Sequence, residues 1–116
     1  MELTPGKAFY QKQIAALEAH DLETIRAQYA PDAMLVNYDQ VIKGQEAIAD
    51  YFKGYLDYLG FLKLKSTDRF IETEDAIFFE ATVETQLGTA QVYDIFTLHD
   101  GLATRHFAGV ISPRPS

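Results

Sequence analysis

Asp94 and His106 are the residues of this sequence whose types and spacing could do chemistry together. They stand in YDIFTLHDGLATRHFAG, Tyr93 to Gly109, which reads as two strands joined by a tight turn, among Val92, Phe96, Leu98, Leu102 and Val110. Burial disfavours either charge singly, while pairing favours Asp⁻ with His⁺. Such a pair gives or takes a proton near neutral pH. The competing account is a structural pair that merely satisfies itself.

Whether the two meet depends on the turn at His99-Asp100-Gly101. A two-residue Asp-Gly loop pairs His99 with Leu102, sets Asp94 opposite Phe107 and sends His106 to the other face. A three-residue loop, with Gly101 as a left-handed bulge residue, pairs Leu98 with Leu102. Asp94 then lies opposite His106, and Phe96 opposite Thr104. This second form is favoured because it gathers Val92, Asp94, Phe96 and Leu98 with Leu102, Thr104, His106, Ala108 and Val110. That face is apolar except at its middle, and a core-facing register is strongly specified.

The elements that must position the pair follow from periodicity. Tyr10, Ile14 and Leu17 predict a helix from about Pro5 to Ala19, with the proline in its first turn. Asp21 is placed to cap a short second helix carrying Leu22, Ile25 and Tyr29 on one face, ended by Pro31. Ala33 to Tyr38 reads as a strand, followed by a turn at Asp39-Gln40 and a short VIK segment. Gly44 opens a third helix, Gln45 to Leu59, with Ile48, Phe52, Tyr55 and Leu59 on one face and Gly60 at its C-cap.

From Phe61 the period becomes two. Strands are expected at Phe61 to Ile71, Ala76 to Leu87, Ala90 to His99 and Leu102 to Ser112, with turns at Glu74-Asp75 and Gly88. In the second of these, Ile77, Phe79, Ala81, Val83 and Leu87 point inward, and Glu80, Thr82, Glu84 and Gln86 outward. Pro113 and Pro115 close off a short tail. Helices followed by an antiparallel meander predict an α+β domain over residues 1–116, with a curved, mostly antiparallel sheet packed on the helices and a cavity between them.

Composition narrows the function. The net charge of −7 and scattered basic residues argue against a nucleic-acid partner. No apolar run approaches the ~20 residues of a membrane helix, and MELTPGKAFYQ has no signal-peptide pattern. The absence of cysteine removes disulfides and thiolate chemistry and is compatible with a cytoplasmic location. No two histidines share a helix face at i, i+4, no HExxH spacing occurs, and the glycines form no GxGxxG loop, so neither a metal nor a cofactor is expected. His20, before the helix-2 cap, reads as solvated, and His99 lies beside the turn on the face opposite His106 in the favoured register. Tyr51, Tyr55 and Tyr58 recur at helical spacing, either as a ligand-stacking stripe or as packing against the sheet or a second subunit.

The ordered set AALEAHDLETIRAQYAPDAMLV, KGQEAIADYF and VYDIFTLHDG resembles the nuclear transport factor 2-like superfamily, which includes SnoaL-like cyclases, ketosteroid isomerases and limonene epoxide hydrolases. The resemblance implies a cone-shaped, cystatin-like fold: a curved sheet wrapped around the three helices of the N-terminal half, with an internal pocket. It also implies a homodimer through the convex sheet face, covering Thr82, Tyr93, Arg105 and Phe107.

Matched to ketosteroid isomerase, the oxyanion-hole aspartate falls on Asp94, the general-base aspartate on Asn37 and the helix-1 tyrosine on Gln13. An amide cannot abstract a proton, so that mechanism is not expected intact. The last-strand aspartate of the cyclases and epoxide hydrolases falls on Ala108. The combined expectation is a cofactor-independent isomerase, cyclase or lyase. In it His106 is the acid/base, Asp94 orients it or donates when protonated, and Asn37 positions a substrate oxygen. Gln13, Phe52, Phe96, Ala108 and Val110 complete a pocket for a small hydrophobic molecule. The rival expectations are a non-catalytic carrier of such a molecule and a dimeric assembly module with a collapsed pocket.

Overall fold

The computed structural model describes residues 3–37 and 40–112. Its elements run α1 (Pro5–Ala19), α2 (Leu22–Ala27), β1 (Tyr29–Asn37), β2 (Gln40–Lys43), α3 (Gln45–Leu59), β3 (Leu62–Glu72), β4 (Ala76–Thr85), β5 (Gly88–His99) and β6 (Leu102–Ser112). The strands form one six-stranded sheet in the order β2-β1-β6-β5-β4-β3. All pairs are antiparallel except β1 with β6. This is an α+β architecture with its helices in the N-terminal half and a curled, unclosed sheet.

Local chemistry accounts for the helix limits. Thr4 caps α1, accepting from the Lys7 amide, with Pro5 in the first turn. The Glu72 carboxylate reaches across from β3 to take the Gly6 amide at 2.9 Å and the Thr4 hydroxyl at 2.6 Å, where the helix dipole favours an anion. Asp21 caps α2 through the Thr24 amide. Gly60, at φ 77°, ends α3 by donating to the Leu56 carbonyl. Between helices and sheet, Ile25, Tyr29, Leu35, Ile48, Leu56, Ile77 and Phe96 are each under 2% exposed. Their apolar surface is the main stabilising term of the fold.

Three expectations change. Tyr29 does not extend the second helix: α2 stops at Ala27 and Tyr29 opens β1. Ile25 and Tyr29 satisfy helical spacing, but Pro31 disfavours the α conformation at Ala30 and pulls the chain straight. The Gln45 side chain then takes the freed carbonyls of Arg26 and Tyr29 at 3.1 and 3.0 Å. Pro31 itself lies where the register of β1 against β6 shifts, between Tyr29 and Met34, so no ladder hydrogen bond is lost to it. Leu87, expected inward, is 59% exposed beyond the end of β4. The expected strand end at Tyr38, the turn residue Asp39, and Pro113 and Pro115 lie outside the described residues.

The third change concerns the hairpin. The loop is the two-residue form: His99 pairs with Leu102, and Asp100 and Gly101 take φ of 52° and 79°, as a primed turn requires. The pairing then slips. Leu98 faces Ala103 and Thr97 faces Arg105, so Thr104 is an extra residue in β6. Its hydroxyl bonds that of Thr97 at 2.6 Å. Below the bulge Phe96 faces His106 and Asp94 faces Ala108, not the His106 and Phe107 of the two sequence-based registers. Because the bulge shifts the register by one residue, His106 shares the concave face with Asp94 after all.

Candidate functional site

The concave face of β5 and β6 floors a cavity of about 150 Å³, closed over by α1 and α3. The eight residues singled out in the sequence, Gln13, Asn37, Phe52, Asp94, Phe96, His106, Ala108 and Val110, all border it. Tyr51 and Tyr55, Ile14 and Leu17, and Phe79, Ala81 and Val83 of β4 supply further wall.

Asp94 and His106 meet diagonally across the β5–β6 ladder, with His106 Nε2 2.7 Å from Asp94 Oδ1. His106 is held on every side. Its other ring nitrogen, Nδ1, is 2.9 Å from the Tyr29 hydroxyl. Phe96 stacks on the imidazole with centroids 3.8 Å apart. The His106 side chain is 4% exposed and that of Asp94 17%. Among the described residues Asp94 Oδ2 has no hydrogen-bond partner. The carboxylate, not the imidazole, is therefore the group of the pair with a free atom to offer.

Burial pushes the Asp94 carboxyl above the ordinary carboxylate value; the hydrogen bond and charge of His106 act against this, less strongly. Burial, and then the nearby Asp94, hold Tyr29 well above the usual phenol value, so its proton stays in place. No lysine or arginine lines the cavity among the described residues, so nothing but His106 compensates an Asp94 charge there. Nor do three or more potential metal ligands cluster among them.

A second polar point comes from α3. Asn37 Nδ2 donates to the Tyr51 hydroxyl at 2.7 Å. This occupies an Asn37 donor and leaves the Tyr51 proton to be donated elsewhere. Burial, the largest cause, raises Tyr51, the Asn37 bond lowers it, and Asp94 raises it further. Tyr55 stacks on Tyr51 with centroids 5.7 Å apart and planes at 10°. Tyr58, the third member of the helical stripe, is 67% exposed and apart from the cavity.

Sequence reasoning missed Tyr29 and Tyr51 as polar members of this site. The signal for Tyr29 was the following Ala30-Pro31, which removes it from a helix. For Tyr51 it was the i, i+4 spacing with Tyr55.

The SnoaL-like domain model matches residues 10–106. The chain belongs to the SnoaL-like family. Among proteins of curated function none matches its sequence significantly. Solved structures share the nuclear transport factor 2-like fold at low identity. TerC, co-crystallised with polyporic acid, aligns with TM-score 0.78 and 22% identity over 92% of each chain. A SnoaL-like protein of unknown function from Burkholderia thailandensis aligns with TM-score 0.80 and 16% identity over 97% of this chain and 99% of that one. A candidate polyketide cyclase from Sinorhizobium meliloti aligns with TM-score 0.79 and 15% identity over 92% and 100%. Such identities establish the fold and leave the chemistry to the site.

Proposed function

We propose that this SnoaL-like protein is a cofactor-independent acid–base enzyme acting on a compact, single-ring organic molecule. The observation that carries the reading is the Asp94 carboxylate. One oxygen is bound by His106, and the other has no partner among the described residues and borders a largely apolar cavity. The roles are thereby exchanged relative to the sequence-based expectation. Asp94 takes a proton from a C–H or O–H of the substrate and returns it to another atom of the same molecule. His106, both of whose ring nitrogens are engaged, holds the carboxylate. Charge left on a substrate oxygen by proton removal receives the hydrogen bond of the Tyr51 hydroxyl, which Asn37 orients. The step is an isomerisation in which protons balance within the substrate.

Size and polarity set the substrate class. An apolar cavity of about 150 Å³ accommodates roughly one aromatic ring. The absence of lining cations among the described residues disfavours carboxylates and phosphates. A neutral ring compound with an acidic proton and a carbonyl or hydroxyl oxygen fits both limits. An unfilled cavity also argues against the collapsed pocket expected of a pure assembly module.

The test is deuterium exchange. Single-ring ketones, enones and phenols are incubated with the protein in D₂O, and label incorporation is followed by NMR. Asp94→Asn is expected to lower the exchange rate by about 10²–10⁴-fold while ligand-induced thermal stabilisation persists. Stabilisation without exchange in the wild type would instead identify a carrier, the reading favoured by Ala108 standing where related cyclases have an aspartate.

We further propose that the convex sheet face meets a second copy of the chain. Val36, Phe107, Ile95, Phe78 and Ile71 are cross-strand neighbours in one continuous row over five strands. None is buried, and Phe107 and Ile71 are 39% and 50% exposed. Apolar rows of this length on a sheet face mark association surfaces. Phe107→Glu is expected to convert dimer to monomer in analytical ultracentrifugation; a monomeric wild type would refute the dimer.

A further inference from the structure

The buried polar groups behind the Asp94–His106 pair form a chain that runs in one direction. It begins at the Phe9 carbonyl, which can only accept. Gln28 Nε2 donates to it at 3.0 Å, fixing which way the Gln28 amide lies. The same nitrogen approaches Gln13 Oε1 at 3.5 Å, so Gln13 must turn its own Nε2 to the Tyr29 oxygen, 3.3 Å away. Tyr29 thus receives a hydrogen from Gln13 and sends its own to His106 Nδ1. A ring nitrogen that accepts carries no hydrogen. The imidazole hydrogen therefore sits on Nε2 and is donated to Asp94 Oδ1.

We infer that Tyr29, with Gln13 and Gln28 behind it, is a positioning residue that locks His106 as the neutral Nε2–H tautomer. Among the described residues, Asp94 is then left as the one group of the cavity with an atom free to exchange a proton with a bound molecule. A doubly protonated His106 would make the Tyr29 oxygen accept twice and strand the phenol hydrogen without an acceptor, in a side chain that is 0% exposed. Among the described residues, the surroundings leave no alternative ion for the imidazole. Gln13 faces it from α1, Tyr29 and Leu35 from β1, Phe52 from α3, and Phe96 and Asp94 from β5. Tyr10 and Tyr51 lie within electrostatic reach of Asp94. Of all these, only Asp94 is a carboxylic acid.

The inference rests on the reading of Asp94 as the acid–base group, but its test needs no substrate. Histidine-labelled protein is examined by ¹H–¹⁵N long-range NMR at neutral pH, which reads the tautomer of each imidazole. The exposed His20 and His99 supply reference signals. Wild-type His106 is expected to show a protonated Nε2 and an unprotonated Nδ1.

Two variants release the lock in different ways. Tyr29→Phe removes the donor to Nδ1. Gln13→Glu keeps Tyr29 but gives its hydrogen a carboxylate acceptor, so that Nδ1 can carry the imidazole hydrogen and donate it to the Tyr29 oxygen. Both are expected to raise the protonated fraction of Nδ1 several-fold. If the variants do not fold, the wild-type spectrum decides alone. A wild-type Nδ1 that carries a proton overturns the inference, as do folded variants with an unchanged tautomer. A locked tautomer in a protein that exchanges no substrate proton would keep the inference and remove the enzyme reading.

Discussion

Asp94 and Asp68 belong to the same sheet and differ in which face their carboxylates occupy. Asp94 looks into the cavity, and burial raises it above the ordinary carboxylate value. The Asp68 carboxylate lies among outward-facing residues, taking hydrogen bonds from Thr82, Ser66 and Gln91, and is lowered, Thr82 contributing most. One sheet therefore tunes the same side chain in opposite directions. Identity matters less than whether the pleat delivers the carboxylate to hydroxyl donors or to aromatic rings. On β6 that delivery depends on one extra residue, Thr104.

Removing the Thr104 bulge breaks the comparison most severely. A one-residue slip would turn His106, Ala108 and Val110 outward and Phe107 inward. Deletion of Thr104 is expected to abolish the cooperative native state, read as loss of near-UV circular dichroism and of dispersed amide signals.

Next come paired truncations on the two faces. Phe96, 1% exposed, packs against Phe9, Tyr29, Phe79 and His106. Phe96→Ala should cost about 3–5 kcal/mol in urea unfolding. Phe107→Ala, on the outer face, should cost less than about 1 kcal/mol in the monomer.

Gly109→Ala sharpens the comparison at intermediate cost. An added Cβ would clash with the Tyr93 ring, so the ring that covers this glycine on the outer face must move. A loss of about 1–3 kcal/mol is expected, with Tyr93→Ala in the same chain restoring part of it.

The smallest effects, and the most diagnostic, are in pH dependence. A folded-state value raised for Asp94 means that the native protein holds this proton more tightly than the unfolded chain. Stability relative to Asp94→Asn should therefore fall as pH rises from the ordinary carboxylate range through the folded value, then level off. For Asp68 the sign reverses. Its contribution relative to Asp68→Asn is present above the ordinary range and is lost as pH falls through the lowered folded value. Urea midpoints measured from about pH 3 to 8 check both, and equal signs would contradict the assignment of the two faces.

Much of this was legible beforehand because periodicity reports faces. The alternation of Ile77, Phe79, Ala81 and Val83 gave β4 its inner side, and Pro5, Asp21 and Gly60 gave the helix limits. The residues bordering the cavity were found because a curved sheet over helices leaves few other places for Asp94 and His106. The bulge was not legible, because an extra residue carries no compositional mark: Thr-Arg fits either register. Nor were the roles within the pair, which depend on Tyr29 reaching His106 across 77 positions of sequence. A local pattern that also suited a helix concealed that contact.

The two rims of the unclosed sheet have a consequence for solubility. One rim is β2, only four residues long. The other is β3, whose ladder to β4 slips twice, between Leu64 and Ser66 and between Thr67 and Arg69, and which carries Lys63, Lys65 and Arg69. Short, kinked and charged rims are poor templates for a stranger's backbone, so runaway strand-on-strand growth into fibrils is blocked at both ends.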